Sequence, residues 1–273
     1  MVRSLILGLS LLVAMVLSVQ FGSIDIDFSD FLHGLNAQQT LVIWELRLPR
    51  VLMTTFVGAG LAVAGVSLQA LFRNPLAEPG LIGVSSSAAL GAVFVIVLGG
   101  SLWGEVSPWQ MSMAAFVFAM AMTVFLYYIA TRQGQTDVAL MLLAGVAINA
   151  IAGALTGFLI VVSSDVQLRS VIFWMMGSFA NVSWQEVAIV ATVMVIALMG
   201  LWRLMKPLNA FLLGEPACLH MGYAVQSLKW WAMGLSALLV AAAVSLVGVI
   251  GFVGLVVPHM IRLWVGPDHR TLI

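Results

Sequence analysis

Seven stretches of this sequence, 4–24, 51–72, 79–104, 106–131, 138–164, 187–202 and 230–261, contain no Asp, Glu, Lys or Arg. About 20 apolar residues suffice for a helix to cross the hydrocarbon core of a bilayer, and most of these stretches reach that length. Hydrocarbon offers a peptide group no water, so each stretch must satisfy its own N–H and C=O groups, which points to helix. Charged residues are only 8% of the 273, and the mean hydropathy is +1.12. A soluble domain carries about 25% charge, so this chain has too little to cover itself against water. The expected fold class is an all-α, polytopic integral membrane protein, with residues 1–273 forming a single transmembrane domain. The one cysteine, Cys218, excludes an intrachain disulfide and is a poor anchor for a structural metal.

The stretch 230–261 would be about 48 Å long as one helix at ~1.5 Å per residue. That is too long for one crossing and tight for two. Gly248, Gly251 and Gly254 in GVIGFVG supply a break, predicting a helix over 230–247 and a return over 250–265. Irregular backbone at such depth is tolerated only inside protein or beside a cavity. Eight crossings result, some broken or short. The stretch 170–183 is too short to span and is expected as an interfacial helix and turn.

With the N-terminus in the cytoplasm, Arg3, Arg73, Arg132, Arg203, Lys206, Lys229, Arg262 and Arg270 fall inside, and only Arg47, Arg50 and Arg169 outside. This distribution follows the positive-inside bias. Asp25, Asp27, Asp30, Glu45, Glu105, Asp165 and Glu186 fall outside. Alternatively, residues 4–20 read as a signal peptide with Val16-Leu17-Ser18 at its cleavage site, which leaves the other loops in place.

The interruptions carry the functional information. In RNPLAEPG (73–80), Pro75 and Pro79 end one helix and fix the entry of the next. Arg73 anchors that end at the headgroups, and the turn reads as a stiff hinge or as plain structure. No G-x-x-x-x-G-K-[ST] occurs, so the chain has no phosphate cradle of its own. Ion-coupled carriers hold ionisable groups near mid-membrane, and the crossings here are almost free of them. An ion-coupled secondary transporter is therefore the weaker class, and a partner the better source of energy.

The segment 206–228 offers that partner a handle. Gly214 ends a short helix, Glu215 caps the next, Pro216 takes its first position and Gly222 closes it. Two short helices would make a rigid knob; an ordinary loop is the alternative. Gly145, Asn149, Gly153 and Gly157 recur every four residues on one helix face, which permits close helix approach with Asn149 bonding across. Catalytic residues are not expected, since paired acids, His-x-x-x-His and a nucleophile beside a base are all missing. His259 follows Pro258 in a broken helix, and His33, His220 and His269 lack ligand spacing, so no metal site is expected either. GLIGV (80–84) and GVIGF (248–252) resemble each other, which suits inverted repeats.

RLPR (47–50), RNPLAEPGLIGVSSSAALGA (73–92), LGEPACLHMG (213–222) and GVIGFVGLVVPHMIRLWVGPDHR (248–270) together resemble one family. It comprises the FecCD-like permeases of binding-protein-dependent ABC importers for iron-siderophores, haem and vitamin B12. The resemblance implies a multi-pass protein of the bacterial inner membrane, paired with a second copy of itself around a central path. It also implies two cytoplasmic ATPase subunits, which use the ATP, and a periplasmic substrate-binding protein. No bound cofactor and no nucleic-acid partner are implied. Family permeases have ten helices, so the last two are expected to be missing from this sequence.

By the same resemblance, Arg47 and Arg50 accept glutamates of the binding protein, with headgroup phosphate as the alternative ligand. Gly214, Glu215, Ala217, Leu219 and Gly222 form the ATPase-coupling segment, with Met221 in place of the usual leucine. Arg73, Asn74 and Pro75 form the cytoplasmic gate or turn. The helix bearing Gly145, Asn149, Gly153 and Gly157 borders the path, so those residues line it or pack beside it. Apart from the resemblance, Arg169 falls at the outer mouth, where it would attract cargo carboxylates or help dock the binding protein. LMLLAGVAINAIAGALTGF with QLRSVIFWMMGSF is more similar to haem permeases than to vitamin B12 permeases, which makes haem the expected cargo and a siderophore or vitamin B12 the alternatives.

Overall fold

A chain this poor in charge hides its peptide groups in helices, and the computed structural model is all-α apart from one two-residue ladder. It describes residues 2–22, 24, 30, 34–266 and 268. Asp25, Asp27, His33, Pro267, His269 and Arg270 lie outside the described residues, as does the side chain of Arg3.

Helix α1 covers Val2–Gln20. Helix α2 runs unbroken over Ala37–Leu71, 35 residues, where sequence reasoning started it at 51. Asn36 opens it with a capping box: its side chain accepts from the Gln39 N–H at 2.7 Å, and the Gln39 side chain accepts in return from the Asn36 N–H. Glu45, Arg47 and Pro49 interrupt the hydropathy without interrupting the helix. Pro49 has no N–H for the Glu45 carbonyl and its ring crowds that oxygen. The backbone over Val42–Arg47 accordingly widens into π-helical turns.

After the 73–78 loop, a 3-10 turn over Pro79–Ile82 leads through Gly83, at φ +82°, into α3 (Val84–Trp103). Helix α4 (Pro108–Ala130) starts at the Ser107–Gln110 capping box. Between α4 and α5 (Val138–Val161) lies a tight hairpin, Thr131–Arg132 (β1) against Gln135–Thr136 (β2). Its two loop residues, Gln133 and Gly134, both have positive φ, as a primed hairpin turn requires. Helix α6 is Asp165–Met176, five residues earlier at its start than the interfacial helix expected from 170.

Helix α7 spans Trp184–Leu212, well beyond the 187–202 run, and carries Pro207 inside it. The first of the two short helices expected after Lys206 is therefore the end of α7. Only α8 (Glu215–His220) is a separate short helix, and its N-cap is Gly214, not Glu215. Helix α9 is Val225–Val247, and α10 is Val253–Val265. The expected break between 247 and 250 is present. Six helices among the described residues, α2, α3, α4, α5, α7 and α9, are long and apolar enough to cross a membrane. The other two expected crossings, α1 and α10, are shorter apolar helices.

The chain forms two compact units, Met1–Phe56 with Phe179–Ala191, and Val57–Ser178 with Thr192–Ile273. In the first, the indole N–H of Trp184 donates to the Trp44 carbonyl at 2.8 Å. In the second, α3 packs on α4, α5 and α9. Ala88 and Ala92 are fully buried, and Gly91 lies so close to the Ala114 carbonyl that a Cβ would stand 2.5 Å from its oxygen. Small residues let membrane helices approach in this way. Residues 239–245 of α9 are all buried, the pattern of a helix enclosed by protein on every side.

The tightest approach joins α2 to the start of α10, where a Cβ on Gly65 would stand 1.8 Å from the Gly254 carbonyl oxygen. Gly65→Ala should lower the melting temperature in detergent, by overpacking of about 1–3 kcal/mol. Gly58→Ala on the same helix meets nothing within 4 Å and should leave it unchanged or raise it slightly.

Candidate functional site

Three irregular stretches converge in the second unit. The loop after α2 turns through Arg73 at φ +48°, and the Asn74 side chain accepts from the Leu76 N–H at 2.9 Å. That Asx turn, followed by the Pro75 ring, fixes the loop locally. Glu78 then reaches the break before α10 and accepts the Phe252 N–H at 3.0 Å. Pro79 packs on Gly254, where a Cβ would meet its ring at 2.8 Å. From the third stretch, after α6, the Ser178 N–H donates to the Val247 carbonyl at 2.7 Å. Each break thus satisfies backbone groups of another.

The row on α5 faces this junction and divides in two. Gly145 is a packing residue, since a Cβ there would fall 2.3 Å from the Leu81 carbonyl oxygen. Asn149 donates to the Gly80 carbonyl at 3.0 Å, and its own carbonyl accepts from the Ser86 hydroxyl. Gly153 and Gly157 meet nothing within 4 Å. They open instead, with Asn149, Thr156 and Met175, onto a cavity of about 460 Å³.

A second locus surrounds α8. Gly214 adopts φ +111° and Gly222 φ +84°, backbone that favours glycine at both ends of the segment. Leu219, 59% exposed, and its neighbours Leu213 and Met221 form an apolar surface, while Ala217 is half-buried. Glu215 pairs with Lys229 at 2.7 Å. Cys218 lies beneath, its thiol pushed up by burial and then by the Glu215 carboxylate. Beside α8 a cleft of about 1250 Å³ is lined by Arg73, Arg132, Gln135, Glu215 and Lys229.

The remaining arginines differ in availability. Arg47 is buried, 7% exposed, and donates to the carbonyls of Val19, Gln20 and Ile24, which close the end of α1. Arg50 is exposed, and donates to the carbonyls of Phe179 at 3.1 Å and Ala180 at 3.0 Å. Arg169 is exposed on α6 and His259 on α10.

Sequence reasoning missed Glu78, Ser86 and the burial of Lys229. Glu78 stood in view within RNPLAEPG, but its partner lies 174 residues away. Lys229 had no local signal: one cation at the head of an apolar helix reads as a surface anchor.

Residues 10–273 match the FecCD transport family. The chain is 38% identical over 274 residues to the hemin transport system permease protein of Yersinia pestis, covering 98% of this chain and 81% of that one. It is 40% identical over 240 residues to the cobalamin import system permease protein of Halobacterium salinarum, covering 88% and 63% respectively. A vitamin B12 import system permease protein of Shigella boydii is 36% identical, over 98% of this chain and 80% of its own length. Among solved structures, a chain described as a metal-chelate type ABC transporter in an inward-facing conformation superposes with a TM-score of 0.89, at 31% identity, over 99% of this chain and 84% of that one.

Asn149→Ala would remove one of two bonds from each of the Gly80 carbonyl and the Ser86 hydroxyl, which keep the Gly83 N–H and the Gly83 carbonyl respectively. Each lost part-buried hydrogen bond is worth about 0.5–1.5 kcal/mol net, so the variant should melt at a lower temperature. Gly157→Ala, pointing into open space, should melt as the parent does.

Proposed function

The chain belongs to the FecCD transport family, and on that footing we propose that it is the membrane permease of an ATP-driven importer of an iron chelate, with haem as its cargo. It does so as a homodimer in the bacterial inner membrane, its N-terminus cytoplasmic, between two ATPase subunits and a periplasmic binding protein. The observation that carries this reading is the superposition with a TM-score of 0.89, across 99% of the chain, on a metal-chelate type ABC transporter. Haem is favoured by 38% identity over 98% of the chain to a hemin permease. Cobalamin is the second reading, favoured by 40% identity over 88% to an archaeal cobalamin permease.

The geometry supports a division of labour. In our reading α8 enters the ATPase, with Leu219 and Met221 as its apolar contact and Gly214, Glu215, Ala217 and Gly222 shaping it. ATP is bound and hydrolysed by that partner. Arg73, Asn74 and Pro75 form the cytoplasmic gate, stiffened by the Asx turn. Gly153, Gly157 and Asn149 line the path, and Gly145 packs beside it. Arg169 attracts the carboxylates of the cargo. Docking of the binding protein falls to Arg50, an exposed residue, while Arg47 holds the neighbouring backbone. Such charges set docking register and on-rate more than affinity.

Two measurements test this. The complex purified from its native membrane should show ATPase activity stimulated by a hemin-loaded binding protein. Stimulation by the cobalamin-loaded one alone would favour the second reading, and solute accumulation by the chain without any ATPase would overturn both. Arg50→Glu should cut uptake on the order of tenfold or more through lost docking, while the ATPase still co-purifies. Unchanged uptake would remove Arg50 from the docking face.

A further inference from the structure

The feature left unused by that division is a buried cation. Lys229, in the first turns of α9, is 1% exposed. Its Nζ donates to the Thr136 carbonyl at 2.6 Å and to Glu215 Oε1 at 2.7 Å. It also lies 5.9 Å from the ring centroid of Phe211, a fully buried residue in the last turn of α7. The guanidinium of Arg73 lies 5.4 Å from the same centroid. One aromatic ring therefore takes two cations, an attraction available to both because the ring face is negative.

These contacts join every cytoplasmic connection of the second unit named so far. Arg73 belongs to the 73–78 loop, Phe211 to the end of α7, Glu215 to α8 and Thr136 to the hairpin. The hairpin is held further: the Thr136 N–H donates to Gln226 Oε1 at 2.9 Å, and its hydroxyl donates to the Tyr127 hydroxyl at 3.0 Å. Its next residue, Asp137, caps α5 by accepting from the Ala139 N–H at 2.8 Å. A shift of α8 thus has a continuous route through Lys229 to the start of α5, the helix that carries Asn149 and the open glycines.

We propose that Lys229 is the positioning residue that ties α8 to the β1–β2 hairpin, so that displacement of α8 by the ATPase moves the start of α5 with it. The proposal rests on the importer reading. A buried ion pair is weak support for stability and is better suited to fixing register, which is the task assigned to it. Glu215 remains 32% exposed, so water can take over its carboxylate when the lysine is removed. Lys229→Met is therefore the informative variant, whereas Glu215→Ala would strand a charge inside protein.

The test uses spin labels on His220→Cys of α8 and Gln133→Cys of the hairpin, with Cys218→Ala, in the purified complex. The parent should give a narrow peak at the distance within one subunit, unchanged when ATP is added. In Lys229→Met it should broaden, and ATP should shift it. Uptake should fall on the order of tenfold, a typical size for coupling between sites, with the ATPase co-purifying as before. Lys229→Arg, which keeps the charge, should restore part of the uptake. If Lys229→Met does not yield folded complex, Lys229→Gln, which drops the ion pair to Glu215 but keeps a donor for the Thr136 carbonyl, should broaden the same distribution. A distribution as narrow as the parent's in whichever variant folds would overturn the proposal. A parent complex without cargo-stimulated ATPase activity would instead overturn the importer reading, and the distances would still decide the role of Lys229.

Discussion

A peptide carbonyl in hydrocarbon has no water to turn to, and that constraint decides where this chain can stop being helical. Three of its breaks, around 72–83, 177–178 and 248–252, are tied to one another and to adjoining helices by hydrogen bonds. Gly80 gives its carbonyl to Asn149, Val247 accepts from Ser178, and Phe252 donates to Glu78. Glycine permits the contact where a side chain would block it, as at Gly65 against Gly254. Irregular backbone and the cavity beside Gly153 and Gly157 consequently lie together on the same junction.

The two arginines of RLPR illustrate how a shared motif divides into separate tasks. Arg47 is spent on carbonyls at the end of α1, and Arg50 keeps an exposed head. Both side chains bond backbone oxygen, yet only one remains accessible to a second protein. On the other side of the sequence, α8 shows the same economy: its apolar residues face outward while Glu215 and Cys218 face the chain. In the proposed importer, those outward and inward faces are the two ends of one lever.

Composition made the bilayer-length helices legible, because charge is scarce and concentrated between them. It misjudged their ends. Glu45, Arg47 and Pro49 break the apolar run, but polar residues are as helix-compatible as apolar ones, and the π-turns absorb the proline. Lys206-Pro207 likewise stops the hydropathy while α7 continues to Leu212. The row from Gly145 to Gly157 was legible as a face. What opposes it was not, since periodicity reports direction and not neighbours: Leu81 fills the space at one end and nothing does at the other. The motif RNPLAEPG and the break after Val247 were both legible, but their meeting through Glu78 is set by tertiary packing alone.

The bond between Glu78 and Phe252 also has a bearing on biogenesis. A polypeptide enters the bilayer from its N-terminus onward, so the carboxylate and the 177–178 turn are made long before the break they complete. When residues 247–252 emerge from the insertion machinery, the Glu78 acceptor for the Phe252 N–H and the Ser178 donor for the Val247 carbonyl have already been made. Order of synthesis thus delivers the break at 248–252 to partners made earlier.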